Sequence, residues 1–263
     1  VDPRHASEDD DLDSLRGDPR YAAVMNHLRQ AAAYWRVNAK PVTLVYTPDG
    51  FDKSKPTPVL VCLHGRGSRP QDFFGETSKK LAASIGLPVV CVSGTRPTGP
   101  RSFVWAVDPA ADTKRLDDAL KAAADKLTPA DGKVILIGFS EGAQVAAEVA
   151  ARNPVRYAGA IVMSPGAEFM LDRATSNPKL RDRRFVVTIG VAEHPGNVTL
   201  SRQDWDWLKK AGAQVVYRSF PGVGHSLPPG FVDLLPQWVE FILEGDTAAP
   251  PKGKKKSPPA GSP

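Results

Sequence analysis

The chain has 263 residues, 41% of them hydrophobic and 24% charged, with a net charge of +5 and a mean hydropathy of -0.27. That length can bury a full core as one large domain or two small ones, and the composition is that of a soluble globular protein. No apolar run approaches the roughly 18–20 residues of a membrane-spanning helix. No recognition helix or RNA-binding signature accompanies the positive charge, so nucleic acid is not an expected partner. The sequence opens without Met or a signal-peptide core, which is compatible with a cytoplasmic protein or an exported mature form.

Residues 1–18 carry seven acids against Arg4 and Arg16 and are expected to be flexible. A leading helix is expected over about 19–35, where Pro19 suits a first helical position and apolar residues recur at helical spacing. Residues 42–47 (VTLVYT) read as an edge strand. An alternation follows: strand 58–63, helix 72–85, strand 88–93, helix 112–127, strand 133–138, helix 141–152 and strand 158–164. It continues with strand 184–190, helix 200–211, strand 213–220 and a last helix near 229–243. Strands separated by helices imply a parallel sheet covered on both faces. One folded domain over 19–244 is the expected organisation. The segment 245–263, with four lysines among prolines, glycines and serines, is expected to be a disordered tail. Cys62 and Cys91 lie in separate apolar strands and read as small buried hydrophobes rather than a disulfide.

The densest chemical signal is Gly138-Phe139-Ser140-Glu141-Gly142. The apolar run 133–137 precedes it and the alanine-rich run 143–152 follows it, so G-x-S-x-G stands at a strand-to-helix junction. A chain reversing that tightly leaves no room for side chains at the flanking glycines. It also exposes the Ser140 hydroxyl at the strand end, ahead of a helix N-terminus that favours negative charge. A serine hydroxyl needs a base, usually histidine, and an acid that orients the imidazole. Five histidines are present. His5 and His27 lie in the leading segments, and His64 follows strand 58–63 directly. His225, in the loop PGVGHSLPP after strand 213–220, can reach back over the sheet edge and is the expected base. The acid is expected in the loop after strand 184–190, where Glu193 is the only carboxylate before the next helix. Asp204 and Asp206 are the fallbacks, and His194 is a neighbour rather than a base. Backbone donors for a developing oxyanion are expected at Glu141 and in His64-Gly65-Arg66-Gly67, with Arg66 preferred and Gly67 second. The glycines there let backbone approach a ligand closely.

In this order, HGRG, GFSEG, GVAEH and PGVGH, the chain resembles the α/β-hydrolase superfamily over about residues 42–243. Within it, the chain looks most like the phospholipase/carboxylesterase group. The resemblance implies an α/β-hydrolase fold: a mostly parallel sheet of eight strands, helices on both faces, and a triad of Ser140, Glu193 and His225. That group commonly has Asp at the acid position, Gln after the nucleophile and HGLGD. This chain has Glu193, Glu141 and HGRGS.

The implied activity is serine carboxylic-ester hydrolysis through an acyl-enzyme. The alternatives are thioester cleavage or acyl transfer with the same residues, or a non-catalytic binding protein on the same fold. Only about twenty residues separate Ser164-Pro165 from Arg184, so no large cap domain is expected. An open site would admit short acyl esters or bulky, polymeric ones. Gly65, Trp105 and Phe169 are the candidate substrate contacts, with Met170 weaker; Trp105 as a core residue is the competing reading. Arg66, Arg69, Arg96 and Arg101 either surround the pocket and favour acidic substrates or are scattered and solvated. No metal-binding motif, dinucleotide loop or phosphate loop is present, so no cofactor is expected. Oligomeric state is open.

Overall fold

The computed structural model describes residues 3–74, 77–166 and 178–244. Phe169, Met170 and the segment 245–263 therefore lie outside the described residues. The chain begins with α1 (Pro3–Glu8), a 3-10 turn over Asp10–Leu15, and α2 (Pro19–Asn38). The opening residues thus carry helical structure. Ala6 is buried and its carbonyl accepts from Tyr21 Oη at 2.8 Å, a contact between α1 and α2 that no local pattern announces. Asp18 caps α2 through the Arg20 N–H, and Pro19 occupies the first turn.

Next come β1 (Thr43–Tyr46), β2 (Pro56–Leu63), α3 (Pro70–Phe74), α4 (Thr77–Ile85) and β3 (Val89–Val92). Two short strands, β4 (Arg96–Gly99) and β5 (Ser102–Val104), pair in a separate antiparallel hairpin. The remainder is α5 (Pro109–Ala122), β6 (Thr128–Phe139), α6 (Glu141–Arg152), β7 (Tyr157–Met163), β8 (Arg184–Gly190), α7 (Pro195–Lys210), β9 (Gln214–Phe220) and α8 (Phe231–Glu244). Among the described residues the main sheet has seven strands in the order β1-β3-β2-β6-β7-β8-β9, where the resemblance implied eight. Only β1 runs antiparallel to its neighbour.

Alternate residues of each strand serve opposite layers, as the pleat requires. Val59, Val61 and Leu63 of β2 pack beneath α5, α6 and α7, with Leu116, Ala146, Val149 and Leu208. Leu60 and Cys62 face the other way, toward Leu81 of α4 and Leu235, Trp238 and Ile242 of α8. Both layers are needed because a parallel sheet has no face that can be left to water. The strand order also locates the site. After β2 the chain moves outward to β3, and it returns to β6 on the other side of β2. Connections that diverge from two adjacent parallel strands leave a crevice at their carboxyl ends. The HGRG loop follows β2 and Ser140 follows β6, so both border it.

Candidate active site

Ser140 joins β6 to α6 with φ 56° and ψ -124°, a conformation costing a non-glycine residue about 1–3 kcal/mol. Its neighbours explain why the turn persists. A Cβ on Gly138 would come 2.1 Å from Gly142 O, and one on Gly142 would come 2.4 Å from His64 O. Both positions exclude any side chain, as the motif predicts. Ser140 N–H is held by Met163 O at 3.0 Å, tying the elbow to the end of β7.

The β8 and β9 loops converge on this hydroxyl. Val191 N–H donates to Phe220 O and Ala192 N–H to Val223 O, each at 2.9 Å. A Cβ on Gly190 would lie 2.1 Å from Val223 O, so the histidine loop crosses directly over the end of β8. That crossing carries His225 back to the serine: Nε2 is 3.0 Å from Ser140 Oγ, and Nδ1 is 2.8 Å from Glu193 Oε2. The imidazole also lies against Phe139, with ring centroids 4.8 Å apart.

Glu193 is buried although it stands in a loop. Its second oxygen, Oε1, accepts from His194 N–H at 3.0 Å and from Asn197 Nδ2 at 3.1 Å. Burial opposes its ionisation, but the bonds from His225, His194 N–H and Asn197 together hold the carboxyl below the ordinary glutamate range. Asn197 was not singled out from the sequence. Helix α7 starts at Pro195, not near residue 200, which brings Asn197 one turn from Glu193. The signal was Pro195 itself, a good first helical residue. The fallback acids lie elsewhere: Asp204 is buried with Gln144 Nε2 3.4 Å away, and Asp206 pairs with Lys210 at 2.5 Å. His194 is exposed and caps α7 by accepting from Gly196 N–H.

Across the crevice, Gly65 lies so near Ser140 that a Cβ there would be 3.3 Å from its Cβ. His64, fully buried, sets the loop's direction. Its Nδ1 is 2.7 Å from Gly65 O, and Nε2 accepts from Gly94 N–H at 2.8 Å. One ring nitrogen accepts, so the other must carry the proton and donate. Burial lowers the His64 pKa to about 4, which keeps this neutral form in place. A trans peptide points its C=O and N–H in opposite directions. Pinning Gly65 C=O to the His64 ring therefore turns Arg66 N–H away from it. Gly67 N–H is already bonded to Phe103 O at 2.9 Å.

Trp105 corrects an expectation. It is fully buried, its Nε1 donates to His64 O at 2.9 Å, and its N–H donates to Glu141 Oε2 at 3.0 Å. It braces the HGRG loop from behind and offers no surface to a substrate. Three of the four arginines have protein partners, and Arg101 is exposed. Arg96 Nη2 donates to Trp105 O, Arg69 pairs with Asp72 and Arg66 pairs with Glu141. Among the described residues no three His, Cys, Asp or Glu side chains converge as a metal site, and no helix is long and apolar enough to cross a membrane.

Strand order, the elbow after β6 and the loops gathered above it define an α/β-hydrolase architecture without a large cap among the described residues. A sequence model of the Alpha/beta hydrolase family matches residues 60–260, and the chain belongs to that family. The fold is similar to that of a carboxylesterase from Bacillus cereus, with TM-score 0.57 and 22% identity over 80% of this chain and 99% of that one. It is also similar to acyl-protein thioesterase 2 of Zea mays, with TM-score 0.59 and 17% identity over 76% and 98% of the two chains. A ferulic acid esterase from the anaerobic fungus Anaeromyces mucronatus aligns with TM-score 0.58 and 15% identity over 77% and 89%. A search of curated protein sequences finds no match.

Proposed function

We propose that the protein is a serine carboxylic-ester hydrolase. The observation that carries this is the continuous relay Ser140 Oγ···Nε2 His225 Nδ1···Oε2 Glu193, at 3.0 and 2.8 Å, mounted on a strained elbow. In this reading His225 takes the hydroxyl proton as Ser140 attacks the ester carbonyl. The Glu193 carboxylate steadies the imidazolium that forms. The carbonyl oxygen gains charge between two backbone donors, Arg66 N–H and Glu141 N–H. Glu141 opens α6, and first-turn N–H groups have no acceptor within their own helix. The tetrahedral intermediate collapses, the alcohol leaves with the proton from His225, and an acyl-enzyme remains. His225 then takes a proton from water as it attacks the acyl carbonyl, and returns it to Ser140 Oγ as the intermediate collapses and the acid leaves.

Supporting this reading, the fold neighbours include a carboxylesterase, a ferulic acid esterase and an acyl-protein thioesterase. The absence of a large cap among the described residues suits short acyl esters or bulky, polymeric ones. Gly166 supports an open acyl side: a Cβ there would sit 3.3 Å from Ser140 Oγ, so hydrogen keeps that approach clear. The test is hydrolysis of p-nitrophenyl acetate and butyrate by wild type and Ser140→Ala. A loss of about 10⁴-fold or more in kcat is expected. Equal rates in both proteins would overturn the assignment.

A further inference from the structure

The residue after the nucleophile is an acid, and its side chain turns away from the bulk solvent. Glu141 is 1% exposed, yet its carboxylate is fully engaged across the crevice. Oε1 accepts from Arg66 Nε at 3.0 Å, and Oε2 accepts from Trp105 N–H at 3.0 Å. The two residues whose backbone N–H groups frame the proposed oxyanion site are therefore joined by their own side chains. Trp105 closes the ring by bonding His64 O, and His64 holds Gly65 O. His64, Gly65 and Arg66 are thereby tied, directly or through Trp105, to the first residue of α6.

We propose that the Arg66–Glu141 ion pair, braced by Trp105, is a positioning device that aims the two backbone donors at the substrate's carbonyl oxygen. The proposal rests on the esterase reading above and adds a role for side chains that touch no reacting atom. The device carries a stability cost. Burial raises the Glu141 pKa, against the opposing effects of Trp105 N–H and of Arg66 and Arg96, the charged groups that face it. A carboxylate raised in this way is ionised in the folded protein at a penalty. That penalty is absent below the ordinary glutamate range and grows as pH rises through the folded pKa. A glutamine of the same shape would still accept from Trp105 N–H, and would exchange the buried charge for an amide NH₂ set against the Arg66 Nε donor. Arg66 is 36% exposed and would be hydrated on losing its partner. An ion pair kept only for stability would be a poor choice here.

The decisive property is that both donors are backbone groups, so changing either side chain leaves them present and alters only their aim. Glu141→Gln, Arg66→Met and the double variant are compared with wild type and Ser140→Ala on p-nitrophenyl butyrate. A boronic acid that forms a tetrahedral adduct on Ser140 serves as a second probe. Each single variant is expected to lose about 10-fold in kcat with KM unchanged, less than the loss of a whole donor. Boronate affinity is expected to fall by a similar factor. The double variant should be no worse than either single one, because both break the same pair. Arg66→Lys, which restores the charge without the planar guanidinium, should fall between. Glu141→Gln should make Tm less dependent on pH than in wild type between the ordinary glutamate range and neutrality, because the buried carboxyl no longer titrates. Unchanged kcat in both single variants, beside an inactive Ser140→Ala, would overturn the device and leave the esterase standing. Loss of Tm in step with activity, at unchanged boronate affinity, would reduce the pair to a structural role. An active Ser140→Ala would instead overturn the esterase reading itself. Should a single variant fail to fold, the double variant, which strands neither a buried carboxylate nor a facing donor, carries the same test.

Discussion

Replacing Glu193 with glutamine changes few atoms, and the structure says which way the new amide must face. In the native protein Oε1 receives two donors, His194 N–H and Asn197 Nδ2, whereas Oε2 receives only His225 Nδ1. A glutamine has one oxygen for these two places. Keeping the oxygen at the first place preserves two hydrogen bonds, and reversing it preserves one and sets N–H groups against N–H groups. At roughly 0.5–1.5 kcal/mol net per bond, with further cost for each buried donor left unmet, the first orientation prevails. The amide NH₂ then faces His225 Nδ1, which must accept rather than donate. The ring proton moves to Nε2, the atom that has to accept from Ser140 Oγ 3.0 Å away. The fold survives, and under the proposed esterase reading His225 is held in the wrong tautomer to act as base. A fall of about 10³–10⁴-fold in kcat for p-nitrophenyl butyrate is expected, with KM little changed. Circular dichroism should confirm the native fold. If Glu193→Gln kept more than about a tenth of the activity while Asp204→Asn lost it, the reasoning would be refuted and the acid would lie on α7.

Gly142→Ala places a Cβ 2.4–2.5 Å from His64 O and Leu63 O, so α6 and the end of β2 must separate by close to 1 Å. Overpacking of that kind costs about 1–3 kcal/mol, and displacement at the reacting atoms is expected to cost about 10²-fold in kcat/KM. A thermal melt with steady-state kinetics checks both, and an unchanged pair of values would contradict the packing. Trp105→Phe removes the donor to His64 O and leaves that buried carbonyl without its indole partner. The expected result is a loss of about 1–3 kcal/mol of stability with KM unaltered, measured by urea unfolding and kinetics; a raised KM with unchanged stability would restore the substrate-contact role.

Much of the fold was written in local patterns. Apolar β-branched runs of strand length, alternating with helical spacing, suffice for a parallel sheet covered on both faces. The β4–β5 hairpin leaves no strand signal in the sequence, because Pro97 and Gly99 interrupt any alternation. Pro195-Gly196 also reads as a turn, which hides the start of α7 at Pro195. The elbow was legible for a physical reason: strand, glycine, serine, glycine and helix are contiguous, so the steric demand is carried by neighbours in sequence. His225 and Glu193 could be named because few residues of the right chemistry occur in the loops that parallel strands 213–220 and 184–190 leave at one edge.

What the sequence could not determine is where side chains end once distant loops close. His225 Nε2 meets Ser140 Oγ across 85 positions, and Arg66 meets Glu141 across 75. Those distances follow from strand register and from glycines that let one loop lie on another. Trp105 looked equally suited to a pocket or a core, because hydrophobicity drives burial without direction. Only the packed structure, with the indole bonded to His64 O beneath the loop, settled its place.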